Sequence, residues 1–567
     1  MKRLKNSAML YNLKFTQFEN IRRSRNWLND KENLLFVALI ALLLIPLWTF
    51  KYFPSQDGPS HLDNANVVRE YHAPDRIIFR EYYTLNNNFG LNWLGYLILG
   101  GLMSIVPVTI AEKIFLSGYV IFLPVAFRGA LRAIRPDSKF IGVMIFPFVY
   151  NYFLHMGFYN FLYGLVIFFF TFTYWLKHYE SLTARNTLTL TILFILLYLC
   201  HPLSFLLAGA GLIAFAAGQI FLGGNRGRPA DNPWKMVKKT VFPLFGALAP
   251  TFFLSGICFL SGMWFLTGRP GGALPRLSLP TLWGYLFTVE PLVSYQRQEA
   301  WCAIAMGWLF LLIIAYVLIF KPHHYQRNVL VGGFLPVVAS YVLLYFIIPN
   351  TLNGADTSVR ISLYIFLALL LWFAAQSYSS AMKGIIRTAA TAIAVTFLVM
   401  HTFKYAELNK YLNEYLSGSA LIKPNTTLLA LNFSSGSRTP DGRELSLRIK
   451  PFLHAAGYIA AERKIVSLNN SHAWFVYFPT LFRHYLNPRK YIGKIESEPP
   501  EVEFLNYPLR TGKYVDYVLV WKMDEKYREH PVTQFINQQL AKGYRLIYTS
   551  PQRGFMKLYC RKGFREI

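Results

Sequence analysis

The sequence predicts a polytopic α-helical membrane protein of about 11 transmembrane helices, followed by a C-terminal soluble α/β domain. Three observations predict it. The first is composition. Of 567 residues, 54% are hydrophobic, 17% aromatic and only 15% charged, with mean hydropathy +0.30. Soluble proteins carry roughly 25% charge, and a chain with 48 Phe and 36 Tyr is not a disordered one. The second is a series of apolar runs of about bilayer length. The third is a change of character near residue 420, where short β-rich segments replace the long apolar runs.

Residues 1–33 are basic and polar, with Lys2, Arg3, Lys5, Lys14, Arg22, Arg23, Arg25 and Lys31. The run 34–52 follows deep in the chain and lacks a small-residue cleavage site, so it reads as a retained first span with the N-terminus in the cytoplasm. Further runs are 114–131, 140–157, 159–176, 187–201, 203–222, 241–266, 301–320, 329–348, 361–377 and 388–405. The apolar stretch 91–108 is left out of the count. Were it to span, the loop with Arg128, Arg132, Arg135 and Lys139 would lie outside and every later loop would invert. Lying on the outer face as a re-entrant or interfacial element, it keeps the basic segments 177–185, 226–239, 321–327 and 383–387 inside. The transmembrane domain is therefore 34–405, with a large first outer loop at 53–113. Residues 406–567 are extracytoplasmic.

In that last part, strands are expected at 426–433, 464–469, 514–521, 544–550 and 554–561, with helices at 445–462 and 531–542. Pro551-Gln-Arg-Gly554 reads as a hairpin turn. Residues 420–567 are enough for a compact core.

Net charge is +28, from 57 Lys+Arg against 29 Asp+Glu. Basic cytoplasmic loops account for much of that excess, and nucleic acid is not expected as a partner. The cysteines, Cys200, Cys258, Cys302 and Cys560, form no Cys-x-x-Cys pair. A disulfide framework or zinc ribbon is not expected. Walker, Gly-x-Ser-x-Gly and His-Glu-x-x-His motifs are absent from the sequence.

The densest polar cluster follows the first span: Pro54-Ser-Gln-Asp-Gly-Pro-Ser-His-Leu-Asp63. Gly58 and Pro59 force a turn that holds Asp57 near the surface, and His61 falls on the first turn of a helix begun at Pro59. Asp57 as a simple cap, with His61 as an interfacial residue, is the plainer alternative. The turn 150–160 offers Asn151, His155, Tyr159 and Asn160 as hydrogen-bonding partners for a sugar, or equally an aromatic belt with turn amides. His201-Pro202 reads first as a helix break. The segment 350–360 ends on Arg360, whose planar guanidinium suits a lipid phosphate, or a snorkelling contact with generic phospholipid. Glu290, Arg297 and Glu299 in the 267–300 loop are weaker candidates, more simply a solvated face.

This layout resembles the GT-C superfamily of integral-membrane glycosyltransferases, which includes protein O-mannosyltransferases, aminoarabinose transferases and bacterial oligosaccharyltransferases. The resemblance rests on an inside N-terminus, an acid (Asp57) just after the first span, a membrane-lying element at 91–108, a many-span core and an outer C-terminal domain. It implies a donor sugar on a polyprenyl phosphate or diphosphate, an acceptor activated by Asp57 as general base, and a lipid phosphate leaving group met by Arg360. Gly58 stands where many members carry a second acid. The later outer acid of metal-using members is also missing, so no cofactor is expected and a divalent metal is the less favoured alternative. Asp63 and Glu70 remain alternative bases. A lipid or glycan transporter or flippase, and a non-enzymatic envelope assembly protein, are the competing readings. A bacterial inner membrane is the expected location.

Overall fold

A computed structural model describes residues 30–86, 92–222, 234, 237–266, 276–320, 329–352, 355–436, 438, 442–523, 527 and 529–564. The N-terminal stretch 1–29 and much of the expected basic loops at 226–239 and 321–327 lie outside the described residues.

Ten of the eleven apolar runs are α-helices. Among the described residues, eight helices are long and apolar enough to cross a membrane: Lys31–Thr49, Val108–Ile134, Tyr159–His178, Pro202–Phe221, Val237–Gly256, Glu299–Ile319, Thr357–Ala374 and Ser380–Leu421. Two more apolar helices, Ala184–Cys200 and Gly333–Ile347, are shorter. The chain is thus a polytopic helical protein with a sheet domain at its C-terminal end.

The run 140–157 departs from expectation. It is not one α-helix but a 3-10 segment, Pro136–Phe148, followed by the short helix Tyr152–Met156. Pro136, Gly142 and Pro147 punctuate it, and at about 2.0 Å rise per residue its 13 residues cover roughly 26 Å. Its ends locate it. Lys139 pairs with Asp30 at 3.1 Å, at the start of the first helix. Asp57 N–H donates to Met156 O at 2.9 Å, just beyond that helix's other end. The segment therefore runs the length of the first helix. At the same end as Asp30, Arg135 donates to Gln376 O at 3.0 Å. Two sets of loops thus gather at opposite ends of the bundle.

The stretch 91–108 holds the helix Trp93–Met103, whose 11 residues span only about 16 Å. That is too short to cross ~30 Å of hydrocarbon. Gly95 N–H donates to Asn160 Oδ1 at 2.7 Å, which pins it at the end of the bundle where Asp57 lies.

All five expected strands form one mixed sheet, ordered Tyr544–Thr549, Met556–Arg561, Tyr517–Trp521, Thr427–Asn432, Val466–Ser467. The strand Thr427–Asn432 runs parallel to Tyr517–Trp521 and to Val466–Ser467, and the other pairs are antiparallel. Alternation explains its two faces. Leu428, Ala430, Leu519 and Trp521 pack into the hydrophobic core that continues through the helix bundle. Leu429, Leu431, Val518 and Val520 pack with Ile536 and Leu540 of the helix Pro531–Gly543 on the opposite face. Pro551 to Gly554 turn the hairpin, with Gly554 at φ +70°. The helix expected over 445–462 forms only as Ala456–Arg463, because Pro451 and the backbone bonds of 447–452 to Tyr295 and Ser435 hold the earlier residues extended or turned.

Two joints fix this domain to the bundle. The last long helix, Ser380–Tyr415, continues beyond bilayer length, and its buried Glu414 accepts from Ser550 Oγ, Arg553 N and Nη1, and Phe555 N at 2.8–3.2 Å. From the first loop, the strand Tyr83–Leu85 pairs antiparallel with Thr480–Phe482. First loop and C-terminal domain are therefore one packed layer.

Candidate functional site

Beneath that layer lies a cavity of about 500 Å³, within the usual size of a ligand site. The first loop lines it with Gln56, Asp57 and His61, and the turn after Met156 with Phe158, Asn160 and Phe161. His201, Leu203, Leu206 and Arg360 come from the bundle, and His454, Ser471, His472, Tyr477, Phe478 and Glu496 from the C-terminal domain.

Asp57 occupies the N-cap position of the helix Gly58–Glu70, which Pro59 initiates, yet its carboxylate makes no cap hydrogen bond. It is aimed at the cavity instead. Its backbone is held by the neighbouring turn: Gln56 N–H donates to His155 O at 3.0 Å and Asp57 N–H to Met156 O. Gly157, at φ +81°, permits this approach, since a Cβ there would lie 2.3 Å from Gly58 N. Gln56 Nε2 donates to Asp57 Oδ1 at 3.1 Å, and His454 Nε2 lies 3.6 Å from the same oxygen. Burial pushes the Asp57 carboxyl above the usual carboxylate range, against the opposing pull of His454, Gln56 and Arg360.

His61 packs in an aromatic nest, 4.5 Å from His472 and 5.3 Å from Tyr159 between ring centroids. Burial and His454 depress its pKa to about 3, so it is a neutral imidazole at physiological pH. Arg360 is buried with its guanidinium over Phe158 (4.6 Å) and Phe161 (5.3 Å), and Nη1 donates to His201 Nε2 at 2.9 Å. That bond makes Nε2 of His201 the acceptor nitrogen. Buried Nε of Arg360 has no partner among the described residues.

The structure thus brings Asp57, His61, Asn160 and Arg360 to one cavity. Asn151, His155 and Tyr159 do not face it. Asn151 caps Tyr152–Met156 through Phe153 N and Leu154 N. His155 is clamped between Ser294 Oγ (2.8 Å) and Tyr405 Oη (2.6 Å). Tyr159 donates to Glu112 Oε1 at 2.5 Å. Their polar atoms serve buried backbone and side chains, a demand as strong as any ligand's. Arg297 is exposed on a turn away from the cavity, Glu290 pairs with Arg448 at 2.7 Å, and Glu299 accepts from Tyr295 N at 3.1 Å. Of the alternative bases, Asp63 is buried outside the cavity lining, with both oxygens unpartnered among the described residues and its carboxyl pushed well up by burial. Glu70 is tied to Arg76 (2.9 Å) and Lys464 (2.9 Å).

Sequence reasoning missed His454, Ser471, His472 and Glu496. They lie in irregular segments of the C-terminal domain, with no periodicity or motif to mark them. His201, an outer-turn candidate that reads first as a helix break in sequence, lines the cavity. Although Asp57, His454 and Glu496 are neighbours, no group of three or more His, Cys, Asp or Glu among the described residues is arranged to hold a metal ion.

Comparison with known proteins by sequence finds no matching family model and no matching curated protein. By structure, the chain is similar to an archaeal oligosaccharyltransferase. That protein is AglB from Archaeoglobus fulgidus, solved in complex with an inhibitory peptide and a dolichol-phosphate. The TM-score is 0.45 at 10% identity, over 95% of this chain and 75% of that one.

Proposed function

We propose that this chain is an integral-membrane glycosyltransferase of the GT-C type. It moves a sugar from a polyprenyl-phosphate-linked donor to an acceptor on the extracytoplasmic side. The observation that carries this reading is the meeting of Asp57 and Arg360, some 300 positions apart in sequence, on one cavity whose remaining wall is largely apolar. A carboxylate freed from capping supplies a proton acceptor. A guanidinium held over aromatic rings supplies a fixed charge for a phosphate. The apolar wall suits the first isoprenoid units, with Leu206 of Pro202–Leu222 facing both the cavity and the outside of the bundle.

In the reaction proposed, the acceptor's hydroxyl or amine attacks the anomeric carbon. Its proton passes to Asp57, the bond from anomeric carbon to phosphate oxygen breaks, and the polyprenyl phosphate leaves with the electron pair, held by Arg360. The basic N-terminus and basic loops are assigned to the cytoplasm, and the first loop and C-terminal domain to the opposite side.

The test is sugar release from farnesyl-phosphoryl glucose, mannose and galactose, with water standing in for the acceptor. Asp57→Asn removes the proton acceptor and keeps the shape. It is expected to slow release at least about 10²-fold, while binding of undecaprenyl phosphate stays within about twofold. Because burial raises the Asp57 pKa, the wild-type rate should fall as pH drops through a limb above the unperturbed value of about 3.9. Release at the wild-type rate by Asp57→Asn would remove Asp57 as the base. Loss of no activity from any first-loop substitution would favour an assembly role.

A further inference from the structure

The two carboxylate oxygens of Asp57 are not equivalent. Oδ1 takes the Gln56 amide at 3.1 Å and faces His454 at 3.6 Å. Oδ2 has no hydrogen bond among the described residues and lies in a residue that lines the cavity. What fixes Oδ1 is a bridge from the other domain. Gln56 Oε1 accepts from the backbone N–H of Lys450 at 3.1 Å. A backbone N–H can only donate, so the oxygen of the amide must face Lys450 and the NH2 must face Asp57. The segment carrying Lys450 is itself tied down: Leu447 N–H donates to Tyr295 O at 2.8 Å and Phe452 N–H to Ser435 O at 3.1 Å.

The geometry points to Gln56 as a positioning residue: it transmits the placement of the C-terminal domain to Asp57, holding Oδ1 so that Oδ2 is the atom that receives the acceptor's proton. This rests on Asp57 being the base proposed above. The same backbone that roofs the cavity thus orients the base. Charged or titratable groups that also face Asp57 are His454 and Glu496 from the C-terminal domain, Arg360 from the bundle, and the phenols of Tyr96, Tyr152 and Tyr477.

The test uses the full chain and the farnesyl-phosphoryl hexose assay. Gln56→Glu keeps an acceptor for Lys450 N–H but sets a second carboxylate against Asp57, which favours the protonated acid. The acidic limb of kcat/KM is expected to move up by at least about one pH unit. Gln56→Met removes both hydrogen bonds at similar volume. It is expected to lower kcat by about tenfold or more, with KM for the donor within about twofold, since a misplaced base slows chemistry without touching the phosphate contact. A wild-type limb in Gln56→Glu, or wild-type kcat in Gln56→Met, overturns the proposal. So does failure of both variants to fold, which would make the amide a structural bridge alone. Asp57→Asn run alongside separates the two levels. If that variant releases sugar normally, the base assignment fails. If it is inactive while both Gln56 variants behave as wild type, only the positioning role fails.

Discussion

Replacing Arg360 with alanine separates a ligand-binding arginine from a packing one. The guanidinium is buried, lies over Phe158 and Phe161, and gives one hydrogen bond to His201. The nearby carboxylate of Asp356 is already engaged by Tyr152 Oη at 2.8 Å. Among the described residues Arg360 therefore forms no ion pair, and its Nε has no hydrogen-bond partner. Its removal forfeits cation–π contact of about 0.5–2 kcal/mol and one neutral-acceptor hydrogen bond. It also relieves the burial of a poorly paired charge. Net stability should change by no more than about 2 kcal/mol. Binding of a phosphate is different. A charge-assisted hydrogen bond is worth about 1.5–3 kcal/mol, which is roughly 10- to 150-fold in affinity. Undecaprenyl phosphate binding, measured by tryptophan fluorescence in detergent, should weaken by about that factor in Arg360→Ala. Arg360→Lys should recover part of it, because lysine keeps the charge but loses the planar fork and the stacking. Thermal unfolding of the same samples supplies the control. Unchanged affinity in Arg360→Ala, or affinity lost only together with several kcal/mol of stability, would refute the assignment.

Asp63 carries a second expectation. Its carboxyl is buried without a hydrogen-bond partner among the described residues and its pKa is raised, so the folded state binds more protons than the unfolded chain and stability falls as pH rises above the unfolded value. Each pH unit inside that window costs about 1.4 kcal/mol. Asp63→Asn should flatten the decline, which a series of melting curves from pH 5 to pH 8 would show. Glu414→Ala should cost about 3–5 kcal/mol, because it strands the Arg553 guanidinium and the N–H groups of the 551–555 turn. Hydrogen exchange should report that loss first in the hairpin 544–561.

The sequence and the structure agree where a signal is local. Apolar runs of bilayer length are helices, and within the run 514–521 the segment Tyr517–Trp521 is a strand because its β-branched and aromatic residues fill a buried pleat. The run 140–157 was equally apolar, but hydropathy does not distinguish α from 3-10 winding, and the prolines that decide the matter look like ordinary loop punctuation. At the site, Asp57 stood out because a turn at a membrane exit leaves few roles for a carboxylate. His155 and Asn160 looked alike in sequence, yet one is clamped between Ser294 and Tyr405 and the other lines the cavity. Only tertiary contacts separate them. His454 was illegible for the same reason: its significance comes from Asp57, nearly 400 residues away.

The helix Ser380–Tyr415 has 36 residues and extends about 54 Å. It is anchored twice past the bundle. Asn409 exchanges hydrogen bonds with Tyr52 N and O at 3.0–3.1 Å, and Glu414 grips the terminal hairpin. A mast stepped in this way resists bending, so the C-terminal domain is carried as a fixed canopy rather than a hinged cover. On the function proposed above, the donor would then enter sideways, past Leu206, which lines the cavity and is exposed on the outside of the bundle. The tail of such a lipid-borne donor would stay in the plane of the bilayer while its polar head slid in under the canopy.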